Sequence, residues 1–459
     1  MRVIDILKLF LISNMLLACG SKNELNDNSQ NQVNFSEKQL SSTFKDKDFV
    51  GMLTELMLFT ENHEPGIVQQ LDEETQDLGL NLTEEPALVK PRKFQTAVAL
   101  SIARIVALTG IKKKEIQSLL VQGLFPAIED ASKTAETFIK KYPDDYDPKI
   151  GLDFEGYYKE DGFTEYRYYG RKVKDTQLNY SEMIPQNYNP KNGIAIQFLP
   201  NAETLESPSS VDNSKYLANK TGKKIVTIAY PEFKDLNHLY DIAEELIEDS
   251  IRKNAVELEK LKDLNIDSKI ASEAFARKNL LFYGKSIGGA VAVELASRYH
   301  LKDTPVKLIT DRSFKSMGDV VARLIQKELG KLESDPDVPK WVLPYSAAIK
   351  NRNPKKNAKF VKAILRTYGL ALEPGSKALK NIPKENQLHI TAGQLDEITG
   401  GSPYDNERTI RISEEGTSAN NPLDLHNSNI THYKNSRRPF VEKALDEFSS
   451  PSFKWKVRL

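Results

Sequence analysis

The residues best able to do chemistry lie past the middle of the chain, in Gly284-Lys285-Ser286-Ile287-Gly288, followed by Gly289. A serine flanked by glycines two places before and two places after can occupy a very tight turn from a strand into a helix. The apolar run Leu280-Leu281-Phe282-Tyr283 supplies the strand, and the stretch rich in Ala and Val from Ala290 supplies the helix. The glycines leave room for the turn to pack, and the turn holds the serine in a strained, exposed position. The helix that starts there aims its free amides and the positive end of its dipole at the same point. Ser286 is therefore assigned as a nucleophile.

A serine hydroxyl is a weak nucleophile at neutral pH and needs a histidine base, itself oriented by a carboxylate. On a strand–turn–helix nucleophile the acid and then the histidine follow in chain order. Asp396 stands just after the apolar run Leu388-His389-Ile390-Thr391 and is the expected acid, with Asp311, after Val306–Thr310, in reserve. The chain has six histidines. His63 precedes the whole arrangement, His238 and His300 read as helix-surface residues, and His389 falls inside a strand. That leaves His426 as the base, with His432 as the alternative, both ahead of a C-terminal helix expected from about Arg437. The oxyanion needs two backbone N–H donors. One is Ile287, directly after the serine; the other is Asn201, in the loop Leu199-Pro200-Asn201-Ala202-Glu203, where Pro200 has no N–H to give.

Strands and helices alternate around these residues. The runs Ile194–Leu199, Lys224–Ala229, Leu280–Tyr283, Val306–Thr310 and Leu388–Thr391 read as strands, and Phe163–Arg171 as an aromatic one. Helical patterns fall near Lys215 and over 238–264. The alternation predicts an α/β fold with a largely parallel sheet over residues 151–459. A stretch at 318–385 carries helical patterns at Val320–Leu332 and Lys359–Leu372 and the apolar cluster Trp341-Val342-Leu343-Pro344-Tyr345, and reads as a cap-like insertion. Residues 46–150 show helical spacing, as in Phe49, Met52, Leu53, Leu56 and Met57, and are expected to be all-helical.

With 64 Lys+Arg against 64 Asp+Glu the chain is formally neutral, which gives no electrostatic reason to expect a nucleic-acid partner. Its 39% hydrophobic and 28% charged residues suit a globular protein among its 459 residues. The single cysteine, Cys19, excludes an intramolecular disulfide framework and a Cys-rich metal site. It follows a short charged segment and an apolar run of about ten residues, the layout of a secretory signal too short to span a membrane as a mature helix.

Leu16-Leu17-Ala18-Cys19 resembles the lipobox of bacterial lipoproteins. The resemblance implies a signal peptide over 1–18, a lipid-modified Cys19 anchored in the membrane, and a polar tether over 19–45. Gly20 in place of the Asp that retains such proteins in the inner membrane points to the outer membrane. Residues 160–459 resemble the α/β-hydrolase superfamily, closest to the esterase, thioesterase and aminopeptidase-like branch whose oxyanion loop reads His-Gly-Asn-Ala-Glu. Here Asn201-Ala202-Glu203 match while Leu199-Pro200 replace His-Gly, and Leu425-His426-Asn427 lacks the usual Gly before the His. Asp311-Arg312-Ser313-Phe314-Lys315-Ser316 also resembles the segment after the sixth strand in that branch. The resemblance implies hydrolysis of a carboxylic ester, thioester or amide through an acyl-enzyme, with a small-molecule or acylated substrate and no metal or cofactor. The departures keep open a catalytically inactive scaffold that acts as a binding protein.

Overall fold

The computed structural model describes residues 113–125, 127–128, 146–147, 151–152, 158–160, 162–173, 176–201, 203–261, 269–334, 354–375, 377–391, 409–411 and 445–446. Cys19, Asp396, His426 and His432 lie outside them, as do the expected signal peptide, the expected tether and Trp341–Tyr345.

The described chain divides into two compact units, residues 1–124 with 317–371 and residues 125–316 with 372–459. In the first, α1 (Lys113–Leu124) is tied to the residue after α7 (Pro354–Thr367) by Gln117, whose amide donates to the Tyr368 carbonyl at 3.2 Å. Helix α6 (Met317–Ser334) packs on α7, with Lys362 Nζ 3.3 Å from Asp319 Oδ2. The described residues within 318–385 are helical over 318–334, 354–367 and Ala378–Asn381 and non-helical over 368–375, and those up to 371 belong to this unit.

The second unit is built on one sheet. Its strands are β1 (Tyr146–Asp147), β2 (Gly151–Leu152), β3 (Tyr158–Glu160), β4 (Phe163–Val173), β5 (Thr176–Pro185), β6 (Ile194–Phe198), β7 (Lys224–Ile228), β8 (Leu280–Lys285), β9 (Val306–Asp311), β10 (Gln387–Thr391) and β11 (Thr409–Arg411). The order is β1-β2-β4-β5-β7-β6-β8-β9-β10-β11, with β3 on β4. From β7 to β11 every pairing is parallel, and from β1 to β5, with the β5–β7 junction, every pairing is antiparallel. The parallel centre follows from composition. Strands β6, β7 and β8 are buried along their whole length, as continuous apolar runs covered on both faces must be. Met183, Ala195, Ile225, Leu281, Tyr283, Ile309, Leu388 and Ile390 join one core with Leu217 and Ala218 of α2 (Pro208–Thr221).

Three boundaries differ from the sequence expectation. β5 follows β4 as a ten-residue strand that hydrophobic alternation does not announce, because its burial is continuous over Leu178–Met183 despite Asn179, Ser181 and Glu182. Tyr146–Asp147 is a strand inside the range expected to be helical. Phe125, Ala127 and Ile128 leave the helical path, with the Ile128 amide donating to the Phe125 carbonyl at 3.1 Å. Phe125 instead packs edge-on to Tyr230 and Phe233, with ring centroids 4.7 and 5.1 Å away.

His389 is a core histidine, as its place inside a strand suggested. Its ring lies 2.7 Å from Thr310 Oγ1 and 3.0 Å from Gln387 Oε1, and burial pushes its pKa from 6.5 down to about 3. Between these two pH values the unfolded chain takes up a proton that the folded chain excludes, so stability falls as pH falls. The loss should approach about 1.4 kcal/mol per pH unit. Urea midpoints measured from pH 7 to pH 4 should show this slope, and His389→Gln should remove its share of it.

Candidate active site

The chain direction in the sheet changes at β6. From β6 the chain crosses through α2 to β7 on one side, and β8 then pairs with the other side of β6. A parallel sheet of this kind opens a crevice at the carboxyl ends of the two strands flanking the switch. The two ends here are Phe198, leading into the 199–203 loop, and Lys285, leading into Ser286. The sequence-predicted nucleophile and oxyanion loop therefore leave the sheet side by side.

Ser286 has φ 54° and ψ −123°, a left-side backbone conformation that is costly for any residue with a side chain. It is one of three non-glycine residues with positive φ among the described residues. Its amide donates to the Asp311 carbonyl at 2.9 Å, and its own carbonyl accepts from the Gly289 amide at 3.1 Å, opening the first turn of α5 (Ile287–His300). Although Ser286 holds the N-cap position, its side chain does not cap the helix. Ile287, the first proposed oxyanion donor, begins α5, where helical amides have no intrahelical partner.

The glycines are required by contact. A Cβ on Gly284 would collide with the backbone of Gly288, and one on Gly288 with the carbonyls of Phe198 and Leu199. A Cβ on Gly289 would stand 2.5 Å from the Ser313 Cβ. Gly288 is therefore where the turn rests directly on the end of β6 and the start of the 199–203 loop. That loop is held from behind as well. Tyr230 donates its hydroxyl to the Leu199 carbonyl at 2.7 Å, and the Ala127 amide donates to the Asn201 carbonyl at 3.4 Å. Burial pushes the Tyr230 phenol upward, so it remains a donor. Sequence reading missed both supports, since neither Tyr230 nor segment 125–128 carries a local motif.

A buried charged cluster lies beside the elbow. Arg312 and Asp311 are both fully buried, and the guanidinium grips the neighbouring carboxylate through two bonds of 2.8 and 2.7 Å. The Tyr283 hydroxyl donates to the same carboxylate at 3.4 Å. The structure thus places Asp311, the reserve acid, as the partner of Arg312 and Tyr283. Lys285 is 2% exposed, and its Nζ stands 3.7 Å from Glu203 Oε1. Burial, helped by Arg312, pulls Lys285 down to about 8 against the opposing pull of Glu203 and Asp311. It is charged at neutral pH. No cluster of His, Cys, Asp or Glu with metal-binding geometry is found among the described residues.

The strand order, the parallel centre and a tight glycine-flanked turn from the end of β8 into a helix together define the fold. It is the α/β-hydrolase fold. The sequence matches no protein-family model and no curated protein. Among solved structures the chain is similar to carboxyl esterase 2 of Tuber melanosporum, at 13% identity and a TM-score of 0.35 over 70% of this chain and 98% of that one. It is similar to an esterase of Pyrobaculum calidifontis, at 13% identity and a TM-score of 0.35 over 73% and 96%. An arylesterase shows 14% identity and a TM-score of 0.36 over 71% and 100%.

Proposed function

We propose that this chain is a serine hydrolase that cleaves a carboxylic ester, thioester or amide through an acyl-enzyme on Ser286. The observation that carries the reading is the backbone of Ser286, held at φ 54° between a buried strand and a helix without its side chain capping that helix. A strained residue at a sheet switch point is maintained when function needs it there. In the proposed cycle His426, or His432 in its place, removes the proton from Ser286 as Oγ attacks the acyl carbon. Asp396 orients that imidazole. The amides of Ile287 and Asn201 receive the oxyanion, and the leaving group departs with the proton that the histidine returns. Water then attacks the acyl-enzyme by the same base, restoring the serine.

The lipobox at Leu16–Cys19 supports a second part of the proposal, that Cys19 carries a lipid and anchors the enzyme in the bacterial envelope, at the outer membrane. Two assays test the whole. The purified chain should hydrolyse short-chain p-nitrophenyl esters or their thioester or amide counterparts, and turnover of none of the three would reject the activity. Cys19→Ser should move the chain from the membrane fraction to the soluble one; retention in the membrane would reject the anchor.

A further inference from the structure

Glu203 stands two residues beyond Asn201 in the loop after β6. Its carboxylate faces two elements at once. Oε1 lies 3.7 Å from Lys285 Nζ, and Oε2 accepts a 2.5 Å hydrogen bond from Ser210 Oγ in the first turn of α2. Both partners are firmly placed. Lys285 ends β8 and immediately precedes Ser286. The Ser210 carbonyl accepts from Gln197 Nε2 at 3.1 Å and from Ser214 Oγ at 3.0 Å; Ser214 also meets Thr227 Oγ1 at 3.1 Å, which keys α2 to β6 and β7.

The lysine is an unexpected choice at this point. A buried cation just ahead of the positive end of α5 is disfavoured by burial and by the helix dipole alike. An apolar side chain would fill the space at lower cost. A charge kept there against both effects is explained by what it grips, and it grips the oxyanion loop.

We infer that Glu203 is a positioning residue, whose carboxylate ties the loop carrying Asn201 to the residue before the nucleophile and so fixes the second oxyanion donor relative to Ser286. The inference rests on the serine-hydrolase reading, since only a reaction at Ser286 gives that donor something to stabilise. Glu203→Gln keeps the shape and an acceptor for Ser210 while removing the attraction to Lys285. Misplacing a transition-state donor lowers kcat more than it weakens ground-state binding.

The test uses the full chain purified in detergent, with p-nitrophenyl butyrate turnover and amide hydrogen exchange of residues 199–203 as readouts. Glu203→Gln should lower kcat about tenfold with KM little changed, and should speed exchange in the loop. The double variant Glu203→Gln with Lys285→Met removes the stranded lysine charge. It should recover the wild-type unfolding midpoint while kcat stays low. Recovery of kcat together with the midpoint, or loop exchange unchanged in Glu203→Gln, would overturn the inference and leave the pair a stabilising contact alone. If the wild type turns over none of the ester, thioester and amide substrates but loop exchange still depends on Glu203, the tie stands and the hydrolase reading falls.

Discussion

Ser286→Ala should abolish turnover, lowering kcat by about 10⁶-fold, because nucleophile, base and acid act as a unit and the loss of the nucleophile removes the covalent route. The fold should survive, since alanine meets the same backbone as serine and the Ser286 side chain is not used to cap α5. Ser286→Gly should be equally inactive but more stable. At φ 54° a residue with a Cβ carries strain that glycine does not. The glycine variant should therefore unfold about 1 kcal/mol above the alanine variant, read as a difference in urea midpoints. This separates two roles of one residue. A serine retained for stability would lose stability in both variants, whereas a serine retained for chemistry at a structural cost gains it in one. Equal stability of the two variants would remove the strain from the account.

Gly288→Ala should damage both the fold and the site. Its Cβ would meet the carbonyls of Phe198 and Leu199, which are backbone, so no side chain can swing aside. Relief requires β6 and the elbow to move apart. That parts the 199–203 loop from Ser286 and disturbs the pairing of Phe198 with Gly284, where β6 and β8 end. Overpacking of this kind costs about 3 kcal/mol, and displacement of the loop by about 1 Å should add a loss of about 100-fold in kcat. Thermal unfolding with p-nitrophenyl butyrate turnover checks both. A variant with wild-type stability and activity would show that the elbow does not depend on close contact with the end of β6.

How much of this was legible beforehand varied with the physics behind each element. Strands β6 to β10 were readable because a parallel strand covered on both faces is predominantly apolar, as the runs around Ile196, Val226, Phe282, Ile309 and Ile390 are. The elbow was readable because only glycine tolerates the contacts at 284, 288 and 289, so the constraint is written in residue type. β5 was not readable, because polar Asn179, Ser181 and Glu182 are buried in it by tertiary contacts; Glu182, for one, meets Lys253 Nζ at 3.7 Å, 71 positions away. Phe125 looked helical because its aromatic partners, Tyr230 and Phe233, lie over a hundred positions away.

The candidate site divides in the same way. Ser286, proposed from its spacing to the glycines, and the 199–203 loop, proposed from its place after a strand, stand at neighbouring strand ends. Glu203 had been noted as part of a motif, but its tie to Lys285 joins positions 82 residues apart and belongs to tertiary structure alone. Asp396, His426, His432 and Cys19 rest on their order and neighbours in the chain, and their assignment is a matter for chemistry.

The most direct measurement is labelling of the full chain with a fluorophosphonate probe, which phosphonylates only an activated serine, beside Ser286→Ala, His426→Ala and His432→Ala. The account predicts labelling of the wild type, none in Ser286→Ala, and loss in one of the two histidine variants, His426→Ala first. A folded wild type that takes no label, or a Ser286→Ala variant that labels as well as the wild type, would contradict it.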